Sequence, residues 1–278
     1  MFSFALPSED DLAEIVYTSG TTGDPKDVML THKNIVSNIE GLTQANPMDY
    51  HERLLTILPL FHMFEQVAGM FFPLSRGARI IHIPRVASGL ITKALEEHHA
   101  TKLLAVPQFL DTVMKRIETR AAEEGKAAAF HAARKIAEYL PLFLRRILFY
   151  KIHRRFGGHL IVVASGGAPL DPVLEKKWEL LGIWLLQGYG LTETSPVVSA
   201  NAYAQHRFGS IGKPLAEVEI KIAPDGEVLV KGPNVFQGYF KSEQKTKEPF
   251  TTDGWFMTGD IGELDKDGFL YIRGRKNI

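Results

Sequence analysis

The sequence predicts an α/β fold of open, mostly parallel sheets flanked by helices, with a small β-rich subdomain at the C-terminal end. Three observations carry this expectation. Short, continuously apolar runs recur and stop at Gly or Pro, as strands buried on both faces do. Longer amphipathic stretches separate them, the alternation that builds parallel sheet through crossovers. After about Gly209 the helical stretches give way to short strands around Asp-Gly turns. The expected division is an α/β core over 1–208 and a β-rich part over 209–278.

The elements follow in order. Ala13-Glu14-Ile15-Val16-Tyr17 is an apolar strand that enters a Gly/Ser/Thr loop. Leu54-Leu55-Thr56-Ile57-Leu58 stops at Pro59, Arg79-Ile80-Ile81-His82-Ile83 at Pro84, and Leu103-Leu104-Ala105-Val106 at Pro107. Leu160-Ile161-Val162-Val163-Ala164 runs into Ser165-Gly166-Gly167, and Trp184-Leu185-Leu186-Gln187 into Gly188-Tyr189-Gly190. Helices are expected over 33–42, 88–99, 109–119, 127–139, 142–156 and 172–181. Further on, 218–222 and 227–230 flank Pro224-Asp225-Gly226 as a hairpin. Phe269-Leu270-Tyr271-Ile272 follows a second turn, Asp265-Lys266-Asp267-Gly268.

Composition sets outer limits. The chain has 278 residues, 45% of them hydrophobic, enough for a substantial core. Lys+Arg and Asp+Glu are both 32, so the basic excess usual in nucleic-acid binders is missing. The lack of cysteine excludes disulfides and thiolate metal sites and fits a reducing compartment. With neither a signal-peptide pattern nor an apolar run of membrane-spanning length, a cytoplasmic location is expected. The stretch 134–155 is lopsided: Arg134, Lys135, Arg145, Arg146, Lys151, Arg154 and Arg155 face one acid, Glu138, with Leu142, Phe143, Ile147, Leu148 and Tyr150 interleaved. Two readings fit it. One is a surface helix with its apolar face on the core; the other is a helix lying on the inner face of a membrane.

The strongest chemical signal is Tyr17-Thr18-Ser19-Gly20-Thr21-Thr22-Gly23-Asp24-Pro25-Lys26. It follows a strand and precedes a helix that Thr31 can cap. Unhindered backbone N–H groups, several hydroxyls and the Lys26 cation suit polyphosphate oxygens. It is not a Walker loop, because two residues separate Gly20 from Gly23 and Asp27 follows the lysine. The histidines offer little to a metal. His98 and His99 are adjacent and diverge on a helix, and paired histidines at zinc-site spacing do not occur, so no zinc site is expected.

This loop resembles the phosphate-binding signature of the adenylate-forming superfamily, which includes acyl-CoA synthetases, peptide-synthetase adenylation domains and luciferases. Further motifs resemble that family in order: Leu58-Pro59-Leu60-Phe61-His62-Met63-Phe64, Ser165-Gly166-Gly167-Ala168-Pro169-Leu170, Gln187-Gly188-Tyr189-Gly190-Leu191-Thr192-Glu193-Thr194, Gly254-Trp255-Phe256-Met257-Thr258-Gly259-Asp260 and Arg273-Gly274-Arg275-Lys276. The chain looks most similar to long-chain fatty acyl-CoA synthetases. The resemblance implies ATP, bound as Mg-ATP, a fatty acid and CoA as the small molecules handled. It implies that Thr18, Ser19, Gly20, Thr21, Thr22, Gly23 and Lys26 hold phosphates, that Thr192 contacts the α-phosphate, and that Glu193 holds Mg²⁺. It also implies adenine against Gly166, Gly167, Ala168 and Tyr189 within the Gln187-Gly188-Tyr189-Gly190 motif. Asp260 would take the ribose hydroxyls, Arg275 the nucleotide, and His62 would gate the acyl pocket.

Three departures shape the expectation. Only 16 residues precede Tyr17, and the chain stops at Ile278 where the family's hinge begins, so it resembles the family's large domain cut at both ends. Asp27 stands where the family usually has glycine, and its charge is expected to repel bound phosphates. A non-catalytic ATP- or acyl-AMP-binding protein and an inert truncated product both stay open as alternatives to a ligase.

Overall fold

The computed structural model describes residues 6–18 and 26–276. They form two compact units that do not follow the chain linearly. One comprises Met1–Pro47, Tyr189–Ala200 and Ser210–Ile278; the other comprises Met48–Gly188 and Asn201–Gly209. The units are therefore not the contiguous 1–208 and 209–278 of the expected division. The first 47 residues and the stretch 189–200 group with the C-terminal residues.

The unit built on 48–188 carries the parallel sheet. Its strands stand in the order Arg79–His82, Arg53–Thr56, Lys102–Ala105, Val162–Ser165 and Trp184–Gly190, all parallel in the pairings between them. These are the apolar runs closed by Gly or Pro, and their buried side chains explain the absence of polar alternation. Leu55, Leu103, Val163 and Leu185 meet Leu95, Leu110, Met114, Trp178 and Leu181 from the covering helices in one core. The expected helices appear as Ser88–Glu97, Pro107–Glu123, Ala127–Ala137 and Pro172–Leu180. Asp171 caps the last of these by accepting from the Val173 N–H at 2.8 Å.

The helix expected over 142–156 is two helices, Leu142–Leu148 and Tyr150–Arg155, broken at the buried Phe149. The break lets its arginines turn inward. Arg145 donates to the Leu140 and Glu179 carbonyls at 2.8 and 3.2 Å. Arg146 donates to the carbonyls of Leu160, Gly158 and Gly182 at 2.7, 3.2 and 3.4 Å. Arg134 pairs with Glu118 at 2.8 Å. Phe143 and Ile147, one turn apart, are left 62% and 65% exposed. The apolar side chains thus divide: Ala137 and Phe149 belong to the core and Ile152 packs against it, as in the first of the two readings of 134–155, while Phe143 and Ile147 face outward.

In the other unit the first strand is not part of a parallel sheet. Leu12–Thr18 pairs antiparallel with Lys26–Thr31, which pairs in turn with Gly238–Tyr239. The Gly/Ser/Thr loop therefore connects two strands of a hairpin rather than a strand and a helix. Thr31 does cap the following helix, His32–Ala45: its hydroxyl accepts from the Asn34 N–H at 3.2 Å, and Asn34 Oδ1 accepts from the Thr31 N–H at 2.9 Å. A four-stranded antiparallel sheet follows, in the order Glu219–Ile222, Glu227–Lys231, Phe256–Leu264 and Leu270–Arg275. It contains the expected hairpin and the expected strand near 269–272. Phe256–Leu264 was hidden in the sequence by Gly259 and Gly262, which lower strand propensity.

Candidate active site

Buried asparagines arrange the loops of the hairpin-bearing unit. Asn34 and Asn38 lie on the helix His32–Ala45. Asn34 Nδ2 donates to the Pro233 and Val235 carbonyls at 2.7 and 3.0 Å. Asn38 Nδ2 donates to Val197 O at 2.6 Å, and Asn234 Nδ2 to Thr194 O at 3.0 Å. Buried carbonyls are costly to leave unpaired, so these amides lock the short helical turn Thr192–Thr194 against the 233–235 segment. Gly190 is required by the same packing. A Cβ there would lie 1.6 Å from the Pro196 carbonyl oxygen.

Two constellations result. In the first, the Tyr189 hydroxyl donates to Asp260 Oδ2 at 2.6 Å, and Arg275 Nε lies 3.4 Å from Asp260 Oδ1. Burial, then the charge of Asp260 and its hydrogen bond, hold the Tyr189 phenol well above its ordinary pKa, so it remains a donor. Burial also raises the Asp260 carboxyl, while the Tyr189 hydrogen bond and the Arg275 charge pull it down. In the second, the Tyr239 hydroxyl donates to Glu193 Oε1 at 2.9 Å, and Lys26 Nζ sits 5.1 Å from the centre of the Tyr239 ring. Both constellations border one cavity of about 450 Å³, lined among others by Lys26, Glu193, Tyr239, Glu227, Gly259 and Arg275. That size suits a nucleotide-sized ligand. Leu191 and Glu193 line it, whereas Thr192, between them, does not.

Sequence reasoning missed two of these side chains. Tyr239 belongs to a two-residue strand that periodicity cannot reveal. Glu227 is buried after the Pro-Asp-Gly turn; its Oε1 accepts from the Gly259 N–H at 2.9 Å and its Oε2 from Lys276 Nζ at 2.7 Å.

The remaining expected residues lie elsewhere. Ser19, Gly20, Thr21, Thr22 and Gly23 fall outside the described residues. Thr18 closes the first strand, its hydroxyl donating to the Lys26 carbonyl at 3.3 Å. Gly166, Gly167, Ala168, Gln187, Gly188 and His62 belong to the parallel-sheet unit. There, Gly166-Gly167-Ala168 leave the carboxyl end of the strand Val162–Ser165, where ligands bind in open α/β sheets, and Ser165 is the register partner of Gln187, next to Gly188 within the neighbouring strand. Gly166 has a packing reason of its own: a Cβ would meet the Phe64 ring at 3.0 Å. Gly167 takes φ +77°, a conformation glycine adopts without strain. His62 is exposed, its ring 4.4 Å from that of Phe61.

One metal-ligand type cluster occurs among the described residues, also in the parallel-sheet unit. His206 Nε2 lies 3.0 Å from Glu175 Oε1 and 3.2 Å from Glu179 Oε1. Glu175 Oε2 accepts from the Gly209 N–H at 2.9 Å. Burial pushes Glu179 up to about 7; it pulls His206 down, but the two carboxylates more than offset that and leave the imidazole raised. The cluster is an ion bracket joining the helix Pro172–Leu180 to the 206–209 loop. A search for paired histidines could not find it, since two of its three members are glutamates one helical turn apart.

A cavity lined by the cations Lys26, Lys245 and Arg275 and the carboxylates Glu193, Glu227 and Glu248, on a chain that also carries a five-strand parallel array, has the features of an adenylate-forming protein. The chain belongs to the AMP-binding enzyme family, whose model matches residues 3–240. It is 37% identical to the long-chain-fatty-acid–CoA ligase FadD15 of Mycobacterium bovis, over 98% of this chain and 48% of that protein. It is 35% identical to human long-chain-fatty-acid–CoA ligase 1, over 97% of this chain and 42% of that protein. ATP-bound MatB from Rhodopseudomonas palustris has a similar structure, with a TM-score of 0.80 and 30% identity over 99% of this chain and 50% of that one. O-succinylbenzoate coenzyme A synthetase from Bacillus subtilis, in complex with AMP, matches with a TM-score of 0.75 and 28% identity, over 97% of this chain and 50% of that one. The chain thus spans about half the length of the relatives it matches.

Proposed function

We propose that this chain carries the nucleotide-holding part of an AMP-forming fatty acid–CoA ligase, which activates a fatty acid to acyl-AMP and then to acyl-CoA. The observation that supports it best is the convergence of Lys26, Glu193 and Arg275 on one cavity, with Asp260 held behind them. Their chemistry fits Mg-ATP. Lys26 and Arg275 supply positive charge to phosphate oxygens. Glu193 keeps one oxygen, Oε2, outside its hydrogen bond to Tyr239, a hard ligand for a hard cation. Asp260 accepts ribose hydroxyls in place of the Tyr189 and Arg275 donors it now holds, and Tyr189 flanks the base. Mg²⁺ supplies charge neutralisation of the phosphates when bound. The protein's own part is to hold the carboxylate and phosphate in line and to stabilise developing charge.

Calorimetric titration with Mg-ATP tests this reading. The parent chain binds, and Glu193→Gln and Lys26→Ala each weaken binding. Equal affinity in all three sinks the assignment. Pyrophosphate release with palmitate present then separates a ligase from a binder.

A lipid contact is the second part of the proposal. Tyr139, Phe143, Ile147 and Tyr150 are exposed, and so are the cations Lys135, Lys151, Arg154 and Arg155. An apolar face bordered by exposed cations suits an anionic bilayer surface on the cytoplasmic side. No helix among the described residues is long and apolar enough to cross a membrane. Co-sedimentation with phosphatidylcholine vesicles, with and without phosphatidylglycerol, tests it; binding to neither sinks it.

A further inference from the structure

Tyr239 stands between the cation and the anion of the cavity, and three features hold it there. Its strand, Gly238–Tyr239, pairs with Lys26–Thr31, with Tyr239 opposite Val28. Its backbone N–H donates to the Thr246 hydroxyl at 2.9 Å, and that hydroxyl donates to Ser242 O at 2.8 Å. Gly238, at φ +146°, admits this approach: a Cβ there would meet Thr246 Cγ2 at 2.4 Å. The ring of Tyr239 is buried, with Phe236 edge-on at 4.9 Å. The same short segment grips Glu193 twice. The Phe236 N–H donates to the Glu193 carbonyl at 2.9 Å, and the Tyr239 hydroxyl to its carboxylate at 2.9 Å.

We infer that Tyr239 is a positioning residue for the metal-ligand carboxylate: it fixes Glu193 through Oε1, leaves Oε2 to a divalent cation, and interposes its ring so that Lys26 does not pair with that carboxylate. The inference rests on the Mg-ATP reading of the cavity. The geometry requires both parts of Tyr239. The hydroxyl fixes the carboxylate's orientation, and the ring face takes the Lys26 ammonium at 5.1 Å. Without the hydroxyl alone, Glu193 loses its fixed orientation toward the cation; without the ring as well, it is free to reach Lys26. An ion pair between them would remove both the metal ligand and the phosphate cation from service.

Tyr239→Phe isolates the hydroxyl, because it keeps the ring and the cation–π contact. The experiment titrates the full chain with ATP in EDTA and again with saturating Mg²⁺. Mn²⁺ binding in the presence of ATP is followed by electron paramagnetic resonance. Removing a partner that orients a metal ligand typically weakens metal binding about 10-fold or more. Tyr239→Phe is therefore expected to bind ATP in EDTA within about twofold of the parent, while Mn²⁺ affinity falls about 10-fold. In a Glu193→Gln background the same change should have no further effect on metal affinity, a non-additivity that a merely structural role would not produce. Unchanged Mn²⁺ affinity in Tyr239→Phe, with Glu193→Gln impaired, overturns the inference and leaves the cavity reading standing. Unchanged affinity in both variants overturns the cavity reading as well.

Discussion

The hydroxyl of Tyr189 lies 2.6 Å from Oδ2 of Asp260, so the aromatic residue after Gly188 and the carboxylate of the strand Phe256–Leu264 form one unit of structure although far apart in sequence. Asp260 is buried and Tyr189 half-buried, and each answers the other's need for a partner. Tyr189→Phe leaves Asp260 with Arg275 alone. The expected loss is about 1–3 kcal/mol of stability at pH 7, read as a lower urea midpoint at unchanged slope. An unchanged midpoint would mean that water replaces the phenol and that Asp260 is better hydrated than its burial indicates.

Glu65 provides the pH test. It is fully buried at the start of the π-helical turn Glu65–Phe71, where burial outweighs the opposing pull of the Thr56 hydroxyl. Burial pushes it up to about 7. The folded state therefore holds this proton at pH values where the unfolded chain, with an ordinary glutamate, has released it. The contribution of Glu65 to stability is greatest below about pH 4.5, falls as pH rises to about 7, and is level above that. The swing is on the order of 3 kcal/mol. Other groups titrate in the same range, Glu179 among them, so the quantity to measure is the difference between the parent and Glu65→Gln across pH 4.5–8. A difference that does not change with pH would show that the Thr56 hydroxyl and its surroundings solvate the Glu65 carboxylate as well as water does.

How much of this could be read from the sequence follows from the range of the contacts involved. The five parallel strands were legible because double-sided burial writes itself into each run of four to seven residues. The helix start at Thr31 was legible for the same local reason, since caps act over three residues. The strand Lys26–Thr31 was not, because Lys-Asp-Val-Met-Leu-Thr after a glycine-rich loop reads equally well as the approach to a helix. The break at Phe149 was not either. It coincides with Phe149 entering the core and with Arg145 and Arg146 reaching carbonyls of 140, 158, 160, 179 and 182, and most of those contacts are set by the tertiary fold. In the candidate site, the motif residues Lys26, Glu193, Asp260 and Arg275 stood out by resemblance. Tyr239 and Glu227, which orient or pair with their neighbours, carried no local signal.

Arg146 yields a prediction that separates charge from shape. Its guanidinium serves three carbonyls at once, and burial lowers its pKa without an acid nearby to compensate. Arg146→Ala is expected to cost about 3 kcal/mol, since it strands carbonyls that water reaches poorly. Arg146→Lys should recover less than half of that, because one ammonium cannot reproduce the planar fork. Thermal and urea unfolding of both variants decide it; full recovery by lysine would show that only charge matters there.

Gly190 is expected to be intolerant for a reason unrelated to any ligand. A methyl group there would have to displace the Pro196 carbonyl, a backbone atom that cannot swing aside as a side chain would. Gly190→Ala should lose about 3 kcal/mol or more, with the thermal midpoint falling accordingly. If the variant unfolds like the parent but binds nucleotide worse, the glycine serves the ligand rather than the fold.

The last prediction reverses an expectation drawn from charge alone. Asp27 follows Lys26, and an acid beside a phosphate-binding lysine looks repulsive. Both residues, however, lie in the strand Lys26–Thr31, opposite Thr18 and Tyr17 respectively. Successive side chains of a strand point to opposite faces. Lys26 faces the cavity, and Asp27 is not among the residues that line it. Its backbone carbonyl accepts from the Phe240 N–H at 2.8 Å, a bond that any residue at this position would make. Asp27→Gly should therefore leave Mg-ATP affinity within about twofold of the parent at low salt, because its carboxylate points to the face of the strand away from the cavity. It should also destabilise the fold by about 0.5–1 kcal/mol, since glycine loses more conformational freedom in a strand. Calorimetric titration at two salt concentrations, together with urea unfolding, checks both halves. A revertant that binds Mg-ATP several-fold more tightly, with the gain shrinking in salt, would show that the Asp27 carboxylate reaches the phosphates after all.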